Sequence, residues 1–538
     1  MSGLLQEGVS AQAQARPEAT ALVFKEERLT YGALEEASNR LAHLLKGLGC
    51  RRGDRIGLLL PKTPTAIVAM LGVLKADAIY VPMDPAGPAA RQARVLEVSD
   101  CRCVLAAGLA GENIRGAFAA AALANRPVVG WLDDGPPADV DAAFTLQDLA
   151  AHPATPPAYG NADSDVAHIL FTSGSTGLPK GVMITHAGVG HFIRWASGHF
   201  GIAPSDRISQ HPPLHFDLST FDIFGTLSAG AELHLVPPEL NLLPPRLAQF
   251  IRDADLTQWF SVPSVLNLMA KFDVVRPNDF PGLRRVLWCG EAMPTPTLMY
   301  WMRRLPNAQF TNLYGPTEAT IASSYHTVTT CPADEREPIP IGCACDGEEL
   351  LVLDGELRPA PPGQAGDLYI RGAGLSPGYW RDPDKTRSAF LPCPGGAGPQ
   401  DRIYKTGDLA RRGPDGVHYF LGRADTQIKS RGYRIELGEI ESALHSLPDL
   451  LESAIVAIQS AGFEGWLICC AYVAAAGRDV SGSSLRRSLS ALLPGYMLPA
   501  RWMPYQFLPK NDNGKIDRPF LKNAFLRAEA GQAQAEAR

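Results

Sequence analysis

The chain is 538 residues long and has little of several things that would direct its function elsewhere. Its ten cysteines are scattered, with Cys101/Cys103 and Cys343/Cys345 as C-x-C pairs and Cys469-Cys470 adjacent. None of them makes the C-x-x-C or Cys/His spacing of a zinc site, so reduced, structural cysteines are expected. No run reaches the roughly 18 apolar residues that a membrane span needs. The start, MSGLLQEGVSAQAQARPEA, has no basic segment followed by an apolar core, so no signal peptide is read there. Excess positive charge is also missing: the formal net charge is −6, which gives no reason to expect nucleic acid or a membrane surface as partner. A cytoplasmic location is the expectation.

What is present is an ordinary globular composition at a length that exceeds one core and suggests two or three domains. Segments such as RIGLLLP (55–61), TAIVAMLGVLKAD (65–77) and IYVPMDP (79–85) alternate strand and helix patterns. The alternation continues to about residue 300, as in an α/β domain with a largely parallel sheet. LTYGALEEASNRLAHLLKGLG (29–49) and SVPSVLNLMAKF (261–272) read as helices, and LRRVLWCGEAM (283–293) as a strand running into a turn. The piece from Ala106 to about Asn161, rich in Ala, Pro, Gly and Asp, reads as loosely patterned and peripheral. Toward the end, RIELGEIESALHSLP (434–448) reads as an amphipathic helix, and SAIVAIQ and LICCAYVAAA as strands of a small sheet.

The most informative stretch is FTSGSTGLPKGVMITH (171–186). Four hydroxyls (Thr172, Ser173, Ser175, Thr176) and two glycines (Gly174, Gly177) precede Lys180. Such a loop can turn N–H groups and hydroxyls onto phosphate oxygens, because glycine permits a close approach that a Cβ would block. Lys180 adds a compact positive charge. AHILFT (167–172) reads as a buried strand, so the loop leaves a strand end, a common place for ligands in open α/β sheets. The order is not that of a P-loop, which requires G-x-x-x-x-G-K-[ST]. Within HPPLHFDLSTFDIFGTLSAGAELHLV (211–236), Asp217 sits among apolar neighbours, where an unpaired carboxylate is costly to bury. It is either paired inside the fold or held ready for a cationic ligand; Asp222 reads as structural. QFTNLYGPTEATIA (309–322) puts an aromatic ring, a hydroxyl and a carboxylate together, which suits a purine, a phosphate and a hard cation.

The phosphate-loop stretch, the F-D-x-S element at Phe216–Ser219, YGPTE at 314–318, TGDL at 406–409, GRAD at 422–425 and PKNDNGKIDR at 509–518 occur in one order. That order resembles the adenylate-forming enzymes, the superfamily of amino-acid adenylation domains, acyl-CoA synthetases and luciferases. The resemblance covers about residues 25–520. It implies a large N-terminal α/β domain with mostly parallel sheets over 1–424 and a small mobile α+β domain over 425–538, with the hinge at Asp425. By the same resemblance, ATP is bound by Thr172, Ser173, Gly174, Ser175, Thr176 and Gly177, with Gly290, Glu291, Ala292, Asn312, Tyr314 and Gly315 around the adenine. Asp408 holds the ribose and Arg423 lies near ribose and phosphate. Lys180, Thr317 and Lys515 are the implied catalytic residues and Glu318 the Mg²⁺ ligand.

An aspartate at Asp217 implies an amino-acid substrate, because it matches the residue that binds the α-ammonium group in amino-acid adenylation domains. The implied pocket is completed by Leu218, Phe221, Phe260, Leu287, Cys289, Leu313, Ile321 and Ala322. It is apolar and disfavours a charged side chain, while its two phenylalanines argue against a very large one. The lining is similar to that of prolyl-carrier-protein ligases, so proline is the first expectation, with alanine and other small aliphatic or β-amino acids next. The implied reaction forms aminoacyl-AMP from ATP and then loads the phosphopantetheine thiol of a separate carrier protein. Only 23 residues follow Lys515, and no carrier domain is expected within the chain. The alternative is an acyl- or aryl-CoA ligase of the same superfamily, against which Asp217 counts. A non-catalytic member is expected to have lost Lys515, Asp408 or Glu318, and all three are present. Departures from the family pattern are Asp77, where glycine is usual, Ser430 in place of an apolar residue, and Cys289 in place of a small one.

Overall fold

The computed structural model describes residues 3–536 apart from 109, 134, 175–177, 399, 460–464, 479 and 512–514. Two twisted sheets form the body of the large region. One has nine strands, and its central strands, among them Arg207–Gln210, Gln258–Ser261, Arg285–Trp288 and Gln309–Tyr314, run parallel. The other has seven strands, including Arg55–Leu59, Ile79–Pro82 and Val166–Thr172, and is parallel except where Val166–Thr172 meets Lys180–Thr185. Burial on both faces accounts for the continuous apolar runs seen in the sequence. The helices Tyr31–Gly47 and Pro64–Lys75 pack into the largest core, where Leu34, Leu41, Leu45, Ile67 and Leu71 are fully buried. A five-stranded antiparallel sheet, with Arg402–Arg412 at its centre, carries Asp408 and Arg423 on adjacent strands in register.

The residues after Asp425 form a two-stranded hairpin, Gln427–Ser430 with Tyr433–Glu436, and a three-stranded sheet covered by helices. Here one expectation is corrected: the helix read from Arg434 begins at Leu437, and residues 434–436 are strand. Arg431 and Gly432 both have positive φ (54° and 79°), which sets a tight turn whose twist matches the paired strands and so holds Arg434 in the hairpin. A second correction concerns residues 106–161. They contain the helix Ala110–Ala120 and the strands Val128–Trp131 and Phe144–Thr145, which extend the seven-stranded sheet and bury Val129, Trp131 and Phe144. Their apolar residues are too few and too spaced to announce an element, and the neighbouring strand supplies the order.

Asp77 has φ 62°, the left-handed region that favours glycine. Its carboxylate accepts from the Gly160 and Asn161 N–H groups at 2.7 and 3.0 Å and meets Lys46 at 2.5 Å, and these bonds offset the strain. Among the described residues all ten cysteines are free thiols, and no helix is long and apolar enough to cross a membrane.

Candidate active site

The parallel strands of the nine-stranded sheet deliver the apolar part of the site. Phe260 and Leu287 lie side by side in register on neighbouring strands, and Leu313 and Cys289 lie on or just beyond the next ends. Leu218, Phe221, Phe260, Leu287, Cys289, Leu313, Ile321 and Ala322 are all buried in one cluster, joined by Phe192, Trp195 and Phe200 from the helix His186–Phe200. Phe221 stands edge-on to Phe192 at 5.3 Å and to Phe260 at 5.9 Å, a favoured aromatic geometry. It opens a π-helical turn, Phe221–Gly225, directly after the short helix that starts at Asp217.

Asp217 sits at the edge of this cluster. Thr317 Oγ1 donates to its Oδ2 at 2.7 Å, and burial pushes its carboxyl above the usual range against that hydrogen bond. The Leu218 backbone and the nearby Lys429 act in the same direction as Thr317, so this part-buried carboxylate favours a cation beside it. Asp222 is fully buried, and the nearby buried Lys62 supplies its counter-charge.

On the phosphate side, Lys180 Nζ lies 3.0 Å from Glu318 Oε1 and 3.3 Å from the Tyr379 hydroxyl. Tyr379 donates to the same Glu318 oxygen at 2.8 Å, and Arg434 Nη1 reaches Oε2 at 2.7 Å. Glu318 is fully buried; burial acts to raise its pKa, but Arg434 and Lys180 together hold the carboxyl well below the usual range. Burial, and then Arg434, push Lys180 down. Ser173 Oγ donates to the Arg434 carbonyl at 2.6 Å, and the Gly174 N–H to Glu439, which is paired with Arg91 at 2.6 Å. Ser175, Thr176 and Gly177 lie outside the described residues. Two buried donors, Thr172 Oγ1 and Arg434 Nε, have no hydrogen-bond partner among the described residues, which suits an incoming anion.

The nucleotide side opens into a cleft of about 1080 Å³, with Gly290, Glu291, Ala292, Asn312 and Tyr314 on one wall and Leu421, Arg423, Ile428 and Lys429 among the residues facing them. The Tyr314 hydroxyl donates to Asp408, whose other oxygen accepts from Arg423 Nη1 at 2.7 Å. Arg423 also forks onto Asp425, tying the proposed hinge to the ribose-side carboxylate. Glu291 accepts from the Gly432 N–H at 2.8 Å and the Ser264 N–H at 3.1 Å, so it grips the hairpin. A narrower cavity of about 110 Å³ is lined by Asp217, Gly315, Thr317, Tyr433 and Tyr496, and shares Lys429 with the cleft.

Among the described site residues, Lys515 stands apart from the others. It is exposed, its N–H bonds to Asn511, and it lines neither cavity. The hairpin 427–436 occupies the site instead, bringing in Lys429 and Arg434. These two, with Tyr379, are the site residues that sequence reasoning missed. Tyr379 lies in SPGYW, and a tyrosine between glycine and tryptophan carries no sign of the carboxylate it serves.

The AMP-binding enzyme family model matches residues 9–380. The chain belongs to that family. It is 38% identical over 516 residues to phosphinothricin tripeptide synthetase PhsC of Streptomyces viridochromogenes, across 96% of this chain and 45% of that protein. It is 34% identical over 536 residues to tyrocidine synthase 3 of Brevibacillus parabrevis, across 98% of this chain and 8% of that protein. The chain thus spans less than half the length of these curated relatives. Among solved structures, it matches the adenylation domain AlmE of Vibrio cholerae, in complex with glycyl-adenosine-5'-phosphate, with a TM-score of 0.82 at 26% identity over 98% of both chains. It matches holo-PA1221, which contains adenylation and PCP domains, with a TM-score of 0.78 at 28% identity over 97% of this chain and 84% of that one. The mixed α/β fold is that of the adenylate-forming enzymes, a class that uses ATP.

Proposed function

We propose that this adenylation enzyme activates a small apolar amino acid, proline first and alanine, other small aliphatic or β-amino acids next. The acyl group then passes to the phosphopantetheine thiol of a carrier protein. The observation that carries this reading is Asp217, a part-buried carboxylate with Thr317 as its hydrogen-bond donor, at the edge of an all-apolar cluster. An α-ammonium group beside Asp217 pairs the charge, and the side chain enters the cluster toward Phe221. The close ring packing around Phe221 favours a small side chain.

In the first step an oxygen of the amino-acid carboxylate attacks the α-phosphorus of ATP, the α–β phosphoanhydride bond breaks, and pyrophosphate leaves. Lys180 and Thr172 are placed for phosphate oxygens, and Lys515 is brought in by rotation of the C-terminal region about Asp425. Fixed positive groups act here because charge develops on oxygens whose positions they already match. Glu318 would hold Mg²⁺: it offers one hard carboxylate, and among the described residues no group of three metal-binding side chains competes with it. The ion supplies charge neutralisation at the phosphates. In the second step the carrier thiolate attacks the acyl carbon and the bond to AMP oxygen breaks. Lys515 has then withdrawn and the hairpin faces the site, the arrangement described above. AlmE in complex with glycyl-adenosine-5'-phosphate, and PA1221 with its joined PCP domain, support the two steps by likeness.

The test is intact-mass analysis of a phosphopantetheinylated carrier protein incubated with the enzyme, ATP, Mg²⁺ and a mixture of amino acids. A mass gain matching one small apolar aminoacyl group supports the proposal. A gain matching only acids without an amino group assigns the chain to the acyl-ligase reading.

A further inference from the structure

Glu318 is the residue at which the two halves of the site meet. Lys180 and Tyr379, both from the large region, contact Oε1, while Oε2 is taken by Arg434, which arrives on the hairpin 427–436. The geometry points to Arg434 as a positioning residue that occupies the divalent cation's seat on Glu318, so that docking of the hairpin and binding of the metal exclude one another. This inference rests on the proposed role of Glu318 as the metal's carboxylate.

Three observations carry it. The first is charge. Glu318, Lys180 and Arg434 together sum to one positive charge around a fully buried carboxylate. A divalent ion added there without phosphates would set four positive charges around one carboxylate, and at low dielectric such repulsion is steep. The second is the cost of one unfilled oxygen: Lys180 and Tyr379 both contact Oε1 of the fully buried Glu318, so departure of a metal with pyrophosphate would leave Oε2 without a cation beside it. Arg434 supplies one at 2.7 Å. The third is that the hairpin lands in one place. The Gly432 N–H on Glu291, Ser173 on the Arg434 carbonyl and the Gly174 N–H on Glu439 fasten the backbone around Arg434, independently of its guanidinium. The turn at Arg431-Gly432 fixes the strand that presents it. Loss of metal after the first step therefore favours the hairpin position suited to the second, and metal bound for the next cycle expels it. By linkage the effect is reciprocal: whatever the docked hairpin costs in metal affinity, metal costs in hairpin docking.

The experiment uses the full chain with Mn²⁺, a spectroscopic stand-in for Mg²⁺, presented as its complex with α,β-methylene-ATP so that the phosphates offset the charge of the site. Mn²⁺ affinity is read by electron paramagnetic resonance, and amide hydrogen exchange over 427–436 by mass spectrometry, in wild type, Arg434→Gln and Arg434→Lys. The expected result is Mn²⁺ binding about tenfold tighter in Arg434→Gln, within the usual range of coupling between two sites. Exchange in the wild-type hairpin should rise as Mn²⁺ saturates, while in Arg434→Gln, whose hairpin keeps its other three contacts, it should stay slow and indifferent to metal. Arg434→Lys, which keeps the charge, should lie nearer wild type and separates loss of the cation from loss of folding. Equal Mn²⁺ affinities, or wild-type hairpin exchange that ignores saturating metal, overturn the inference. Amino-acid-dependent pyrophosphate exchange on the same wild-type preparation keeps the two readings apart. Its absence sinks the proposed function, whereas its presence with equal Mn²⁺ affinities sinks the role of Arg434 alone.

Discussion

Phe221 and Glu318 belong to one site and are both fully buried, yet they are held in contrasting ways. Phe221 is fixed by the rings of Phe192, Phe200 and Phe260 on the helix and strands around it. Glu318 is fixed by charge, with donors from three separate segments at Lys180, Tyr379 and Arg434. Dispersion among close-packed rings falls away with small displacements and suits a cavity of constant shape. An ion pair can exchange one cation for another at the same oxygen. On the proposed reading, the apolar side is a fixed gauge of size and Glu318 is a seat whose occupants change through the cycle.

The sharpest way to break this comparison is to remove a single charge on each side. Asp217→Ala should lower amino-acid-dependent pyrophosphate exchange by a factor on the order of 10²–10³, the usual cost of truncating one partner of a buried charge pair. Lys515→Ala should lower the same exchange by about 10²–10³, as loss of one transition-state charge donor does. Because Lys515 is exposed and stands outside both cavities, thermal unfolding of that variant should match wild type. A large drop in melting temperature would mean that the loop has a structural part.

On the apolar side, Phe221→Ala should cost about 3–5 kcal/mol in denaturant unfolding, because the surrounding rings relax only partly into the cavity. It should also let exchange respond to larger apolar amino acids. Unchanged stability would mean that Phe221 is not the floor of the pocket.

A smaller effect tests how finely charge is set behind Glu318. Glu348 accepts from the Gly374 N–H at 2.7 Å, with His191 Nε2 3.7 Å from the same oxygen; its other oxygen has no hydrogen-bond partner among the described residues, and burial pushes its pKa from 4.5 to about 7. The fold therefore favours its protonated form. That contribution is fully present below about 4.5 and is lost as pH rises through about 7. Glu348→Gln should consequently be more stable than wild type above pH 7, by roughly 1–3 kcal/mol, with the gap closing toward pH 4.5. Parallel stability-against-pH curves for the two proteins would contradict this.

Much of the apolar gauge could be read in the chain because its residues sit in contiguous motifs at strand ends: Leu218 and Phe221 close behind Asp217, Cys289 just before Gly290, Leu313 before Tyr314. The alternating strands and helices of roughly the first 300 residues were legible for the same reason, since burial on both faces writes local apolar runs. The changing seat was less legible. Glu318 and Lys180 could be named, but Arg434 is 116 residues from Glu318 and Gly174 is 265 residues from Glu439, and no local pattern encodes such meetings. Arg434 reads as helical because RIELGEIESAL carries helical spacing, and the turn at Arg431-Gly432 overrides it. Asp77 runs the other way: a departure from the usual glycine, it keeps the positive φ that explains the glycine and holds it with three polar contacts.

The most direct measurement of the central claim is pyrophosphate exchange with L-proline against cyclopentanecarboxylic acid, the same ring without its nitrogen, in wild type and Asp217→Ala. The account predicts strong exchange with the amino acid in wild type, little with the carbocyclic acid, and loss of that preference in Asp217→Ala. Equal exchange with both acids in wild type, unaltered by Asp217→Ala, would contradict the reading of Asp217 as the ammonium partner and with it the assignment of an amino-acid substrate.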